Sequence, residues 1–437
     1  MSPFSSFLLS ILCISILAVP RRWAALPILL CMLYISQRPM IMIAGLHLSC
    51  YRILITFGMI RVFIKKEYFP HDTNKIARYI ILWAIVGLTA YTLLHGFNRE
   101  LVFKISLIYD VLMLFFYFKS IFKSLDDIIF ICKMLPFIIL PLTCFMIRES
   151  LTGNNIYSYF GDVPVISDIR NGRFRCQGPF AHPILAGTFG ATVYPFIAAL
   201  WFQKGYKKIW VIVGALCAAT IALTAGSSGA FMTLLMENVA FGFWFLRNKM
   251  QWVRRGIVMA IIGLIFFMKA PIWYLFAKLS DATGGTGWHR AFLLDQAFGK
   301  YFHEWWLIGT KVTRHWMPYA GVTYSATDSQ TDITNQFLWE GVNGGIFTMG
   351  LFIVIIICCF KTIGQALRRN PTAPFNEHFF LWALGVALFG HIVSFMSISY
   401  FDQIIIFWTM LLGMIAAISA IPLYSVAPTL PENTFER

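Results

Sequence analysis

The chain has 437 residues, 58% hydrophobic and 13% charged, with a mean hydropathy of +0.70 and a formal net charge of +15. This excludes an ordinary soluble domain, which carries about a quarter of its residues as charges. It also argues against nucleic acid as a partner, because Lys and Arg sit in short clusters between apolar runs with no recognition motif around them.

In chain order, apolar runs occupy residues 5 to 19, 23 to 36, 43 to 64, 78 to 95, 101 to 118, 127 to 147, 183 to 203, 208 to 224, 229 to 246, 255 to 276, 336 to 360, 378 to 397 and 401 to 421. Several approach the ~20 residues that a helix needs to cross a bilayer. The expected fold is therefore all-α, a polytopic membrane protein of about 12 to 13 transmembrane helices with two long extracytoplasmic loops. The first two runs are short and read as a tight hairpin. No basic segment precedes residues 5 to 19, and Arg21 with Arg22 follow them, so an uncleaved first span with its N-terminus outside is expected. Eight cysteines lie in or near apolar runs without ligand-like spacing, leaving Cys176 in a loop.

Charge bias sets the sides. Lys65, Lys66, Lys75 and Arg78, then Lys119 and Lys123, Lys204 to Lys208, Arg247 to Arg255, and Lys361 to Arg369 fall in alternate connections, as cytoplasmic loops do. The organisation that follows is N-terminal spans over 1–147, a first outer loop over 148–182 and central spans over 183–276. A second outer loop with an interfacial helix then covers 277–335, with C-terminal spans over 336–421 and a cytoplasmic tail over 422–437. Long loops on a rigid scaffold are where sites are built.

The first outer loop ends in NGRFRCQGPFAHPILAG, residues 171 to 187. Arg173 and Arg175 offer forked, permanently charged donors suited to a phosphate or diphosphate. Gly178, Pro179 and Pro183 keep the segment out of regular helix, and His182 precedes the next span as either a base or a structural hydrogen-bonder. The second outer loop contains GGTGWHRAFLLDQAFGKYFHEWWLIGT, with a helix expected from Trp288 to about Trp305. Ala291, Leu294, Phe298 and Phe302 form its apolar face, and Arg290 lies on another. Further on come Arg314 in a basic cluster and the polar stretch DSQTDITN. There Asp328 and Asp332, with Glu340 just beyond, are candidates for a general base.

Among polar residues inside spans, Arg52 and Lys104 are expected to snorkel, and Asp110 and Glu237 to pair with a cation across helices. His391, Tyr400 and Asp402 cluster around a short outward turn and are candidates for a sugar or acceptor cleft.

Three segments carry a family resemblance: the RxxGPFxHPxxxG-like run from Arg175 to Gly187, WHRAFLLDQAF with LIGT, and NQFLWEGVNGGI at the start of a late helix. Their order and the hydropathy over roughly residues 80 to 420 resemble the O-antigen ligase and Wzy-type polysaccharide polymerase superfamily of GT-C-like membrane glycosyltransferases. Two departures stand out. Thr334 and Asn335 occupy the place of a His-Asn pair usual in ligases, and Ser228 stands where many members carry Arg.

The resemblance implies an inverting, metal-independent glycosyltransferase with no cofactor. It would act on a polyprenyl-diphosphate-linked oligosaccharide at the periplasmic face of a bacterial cytoplasmic membrane. Arg175 and Arg290 would hold the diphosphate with Arg173 and Arg314 in support, and Asp332, ahead of His182, would take the acceptor proton. The departures favour a polymerase of repeat units. A ligase acting on a lipid acceptor, and a transporter or flippase of anionic lipid-linked sugars, are the alternatives. Membrane lipids are implied partners, and a chain-length regulator is compatible with the polymerase branch.

Overall fold

A computed structural model describes residues 3–36, 40–43, 46–68, 74–161, 163–275, 278, 287–318, 330–369 and 371–420. Its helices are α1 (Pro3–Ala18), α2 (Ala25–Tyr34), α3 (Cys50–Ile64), α4 (Lys75–His95), α5 (Arg99–Ile121), α6 (Leu125–Thr152), α7 (Pro183–Ala198), α8 (Lys208–Thr224), α9 (Ser228–Gly242), α10 (Met250–Phe267), α11 (Gly287–Asp295), α12 (Gln336–Val342), α13 (Gly345–Arg369), α14 (Phe375–Phe395) and α15 (Ile404–Ala420). Two antiparallel hairpins complete it: β1 (Met40–Ile43) with β2 (Leu46–Ser49), and β3 (Asp168–Arg170) with β4 (Arg173–Arg175).

Helix starts follow capping chemistry. Asn74 accepts from the Ile76 and Ala77 amides, and Asn98 from those of Glu100 and Leu101. Ser124 and Asp127 form a reciprocal capping box at the start of α6, and Arg21 clamps that same Asp127 at 2.6 Å.

Seven helical stretches among the described residues are long and apolar enough to cross a membrane: Lys75–His95, Arg99–Ile121, Leu125–Thr152, Pro183–Phe202, Ser228–Phe267, Gly345–Arg369 and Phe375–Phe395. Three shorter apolar helices accompany them. Three of the expected apolar runs depart from a single uninterrupted span for local reasons. Part of the run at 43 to 64 is spent in the β1–β2 hairpin, so α3 keeps 15 residues, about 22 Å of helix against a hydrocarbon core of ~30 Å. The runs at 229 to 246 and 255 to 276 join through a 3-10 segment, Phe243–Lys249, into one 40-residue stretch. The run at 336 to 360 is broken at Asn343 and Gly344, which separate α12 from α13.

The core centres on α7, which is buried along most of its length between α8, α9 and α14. The polar residues inside the bundle do not snorkel. Arg52 meets Asp110 in a two-pronged ion pair at 2.8 and 2.6 Å, to which Tyr51 adds a hydrogen bond of 2.6 Å. Asp110 thus has the cross-helix cation expected for it, and Arg52 is that cation. Lys104 is buried with its ammonium 5.4 Å from the Tyr91 ring centre and 5.3 Å from that of Trp339, an aromatic cage within the bundle.

Candidate functional site

The first outer loop is organised by the end of α6. That helix runs past residue 147 to Thr152, where Gly153 closes it in the left-handed region. Near this end the buried Glu149 accepts from Ser167 Oγ at 2.8 Å, the Gln177 amide at 2.9 Å and the Gly178 amide at 3.0 Å. Asn155 adds a bond from Nδ2 to the Gly178 carbonyl. The segment that opens with Arg173 is therefore held from below by a carboxylate that gathers three donors.

Within it, β3 and β4 pair Asp168 with Arg175 and Arg170 with Arg173 around an Asn171-Gly172 turn, both turn residues at positive φ as a tight hairpin turn requires. Arg175 is 8% exposed. Its Nη1 lies 3.9 Å from Asp168 Oδ2, while Nε and Nη2 are buried with no hydrogen-bond partner among the described residues. The Cys176 amide bonds to the Thr224 carbonyl and fastens the hairpin to the end of α8. Gln403 fastens its other side, bonding to the Pro179 carbonyl and the Ala181 amide.

The second outer loop is built as a clasp on the broken late helix. Its expected helix is interrupted: α11 ends at Asp295, a π-helical turn covers Gln296–Lys300, and one further turn covers Phe302–Trp305. Leu293, Leu294, Ala297 and Trp305 pack with Trp316, Ile333, Leu338 and Val342 in a core of their own. The segment therefore seats on protein as well as presenting an apolar surface. The Thr310 amide bonds to the Val342 carbonyl and the Ile346 amide to the Trp306 carbonyl, so the LIGT segment lies across the break between α12 and α13. Gly309 and Gly345 both have positive φ, and a Cβ on either would strike backbone, the Val342 carbonyl oxygen and the Leu307 carbonyl oxygen respectively. Two of the three sequence segments that define the resemblance are thus locked to each other.

Asp332 precedes this clasp, three residues before Asn335, whose side chain caps α12 through the Leu338 amide at 3.0 Å. The electrostatics tie the two loops together. Burial pushes the Arg290 guanidinium down to about 10, Arg170 of the hairpin pushes it the same way, and Asp332 opposes both. Burial likewise lowers Arg175, with Arg170 adding to the effect and Asp168 opposing it. Arg170 therefore stands in range of both Arg175 and Arg290. Desolvation by surrounding protein atoms pushes the Asp332 carboxyl up from its ordinary value even though the residue is exposed, and His289 and then Arg290 draw it back. Burial holds the His289 imidazole below its ordinary value, against the pull of Asp332 and with the push of Arg290. Arg290 Nε, like the two Arg175 nitrogens, is buried without a partner among the described residues. The result is two arginines with buried, unpartnered donors, a third arginine in electrostatic range of both, and one carboxylate and one imidazole beside Arg290.

Among the described residues, only Arg173 of the other expected site residues adjoins this group, opposite Arg170 in the hairpin. Arg173 and Arg314 are exposed, Arg314 in a turn where His315 pairs with Glu304 at 3.0 Å. His182 caps α7, its Nδ1 accepting from the Ile184 amide at 3.1 Å, so that ring nitrogen is committed to a structural bond. Glu340 is buried in the bundle, accepting from Trp83 Nε1 at 3.0 Å and Gln336 Nε2 at 2.8 Å beside a cavity of about 50 Å³. It is not brought to the Arg290 and Asp332 group. His391 and Tyr400 are buried and bond to each other at 2.7 Å instead of lining an open cleft, and Asp402 is half-buried at positive φ. Asp328 lies outside the described residues.

Arg170 and His289 escaped sequence reasoning. His289 stands beside Arg290 in the WHR run, a signal in plain sight, whereas nothing local marks Arg170, which matters only because the hairpin folds back. Neither protein-family models nor curated proteins yield a match to this chain.

Proposed function

We propose that this protein is a polysaccharide polymerase of the Wzy type, joining polyprenyl-diphosphate-linked oligosaccharide units at the extracytoplasmic face of a bacterial cytoplasmic membrane. The observation that carries the proposal is that Arg170 acts on both Arg175 and Arg290, two buried arginines with unpartnered donors, while Asp332 acts on Arg290. Buried guanidinium nitrogens without partners are costly unless an anion completes them, and a diphosphate presents the oxygen geometry that Arg forks match.

The chemistry follows from that pairing. An acceptor hydroxyl attacks the anomeric carbon, and the bond from that carbon to the diphosphate oxygen breaks, its electrons leaving with the diphosphate. The three arginines stabilise the charge that develops there. Asp332 takes the hydroxyl proton, His289 steadies the carboxylate, and a single displacement inverts the anomeric centre. Tethering both glycans in one membrane reduces the entropic cost of their meeting.

Reconstitution with lipid-linked repeat units and analysis of the product checks this. The expected product is a ladder, and Arg175→Ala or Arg290→Ala is expected to slow it by roughly 10²–10³, the effect of removing one preorganised charge donor. Parental rates in both variants would overturn the diphosphate assignment. A single transfer per acceptor in place of a ladder would overturn polymerisation.

A further inference from the structure

Among the buried carboxylates that the chemistry above leaves unused, one lacks any partner among the described residues. Glu237 on α9 is 0% exposed, and both its carboxyl oxygens lack a hydrogen-bond partner among the described residues. It rests against Gly390 of α14: a Cβ there would collide with Glu237 Oε1, so the missing side chain makes the space the carboxyl occupies. No Lys or Arg among the described residues pairs with it. The titratable groups around it are Tyr194 of α7, Tyr400 beyond α14, and His391, which follows Gly390 and whose Nε2 is also buried without a partner.

Glu237 lies at one end of a polar seam between α9 and α14. One turn along, Thr233 Oγ1 and Ser394 Oγ bond at 2.9 Å, and Ser397 Oγ donates to the Ser394 carbonyl at 3.0 Å. One turn further, the bare face of Gly229 admits Ser397 Oγ, with Ser227 Oγ nearby, and Gly226 lies against the Arg175 stem. The seam runs from the interior of the bundle to the outer hairpin. An ionised carboxylate without a donor or a cation is very costly at such a position, and acids held inside spans characteristically carry protons.

We propose that Glu237 is a proton-binding site inside the bundle, filled in the resting protein and exchanging toward the Arg175 hairpin along the hydroxyl seam Thr233, Ser394 and Ser397. The ligand is the proton itself, and the proposal stands whether or not the outer site transfers glycans.

Infrared spectroscopy of the full-length protein in lipid vesicles tests it. The expected result is a protonated carboxylic C=O band at neutral pH that shifts in D₂O and is lost in Glu237→Gln, with Thr233→Val slowing that shift. On the unaltered protein, a membrane-soluble carbodiimide, which attacks protonated carboxyls, is expected to label Glu237, and a water-soluble one is not. Absence of both the band and the label would overturn the proton site. An unchanged exchange rate in Thr233→Val would overturn the seam as its path.

Discussion

At the scale of single residues, the outer site is a set of charges that the fold leaves uncompensated. Arg290 and Arg175 hold nitrogens that nothing in the described chain satisfies. Removing such a group relieves the free protein even as it disables binding. Arg290→Gln is expected to gain roughly 0.5–2 kcal/mol of stability while losing turnover, and a thermal unfolding series beside the ladder assay measures both. If stability falls instead, Arg290 already has a compensating partner.

The pH dependence belongs to Asp332. Its carboxyl is raised, so a base at this position is progressively lost as pH falls through a value above the ordinary aspartate range near ~3.9. His289 draws that value down, and its removal acts in the opposite sense: His289→Gln is expected to move the acid limb of the kcat/KM profile to higher pH. A limb that stays in place would show that Asp332 is not the titrating base. Asp332→Asn should abolish transfer and leave donor binding intact.

At the scale of elements, the site depends on the clasp between the LIGT segment and the break separating α12 from α13. Gly309 and Gly345 combine positive φ with backbone contact where a Cβ would sit, so neither strain nor a rotamer change can accommodate a side chain. Gly345→Ala is expected to cost at least about 1–3 kcal/mol, read as a lower unfolding temperature, and to release the loop carrying Asp332. Trp305 packs on Gly341 within the same small core and donates from Nε1 to the Ala297 carbonyl at 2.8 Å, so Trp305→Ala should cost roughly 3–5 kcal/mol and loosen α11. Limited proteolysis within 287–318 that is faster in Trp305→Ala than in the parent would show that release.

At the scale of the whole molecule, the proposed topology puts the basic clusters on one side of the membrane and the two long loops on the other. Asn171 sits exposed at the tip of the β3–β4 hairpin. A membrane-impermeant thiol reagent is expected to label Asn171→Cys from outside intact cells, in a background lacking other reactive cysteines. Labelling only after lysis would invert the topology and place the arginine group on the cytoplasmic side.

Hydropathy and run length alone mark a predominantly helical membrane protein, because both are local properties of a chain in lipid. The sequence also marked Arg175, Arg290 and Asp332, since polar groups beside apolar spans stand out against their surroundings. Only the tertiary structure decided how these residues combine. The hairpin turn at Asn171 and Gly172 returns Arg170 toward Arg290, Glu149 gathers the backbone beneath Arg175, and the two glycine contacts bind one loop to one helix break. It likewise reassigned Arg52 as the partner of Asp110, gave His182 a helix cap and placed Glu340 among Trp83 and Gln336. The His182 cap is local, completed two residues on by Ile184, but the others bring together groups far apart in the chain, and charge pairing acts through space, where a linear pattern carries no distance.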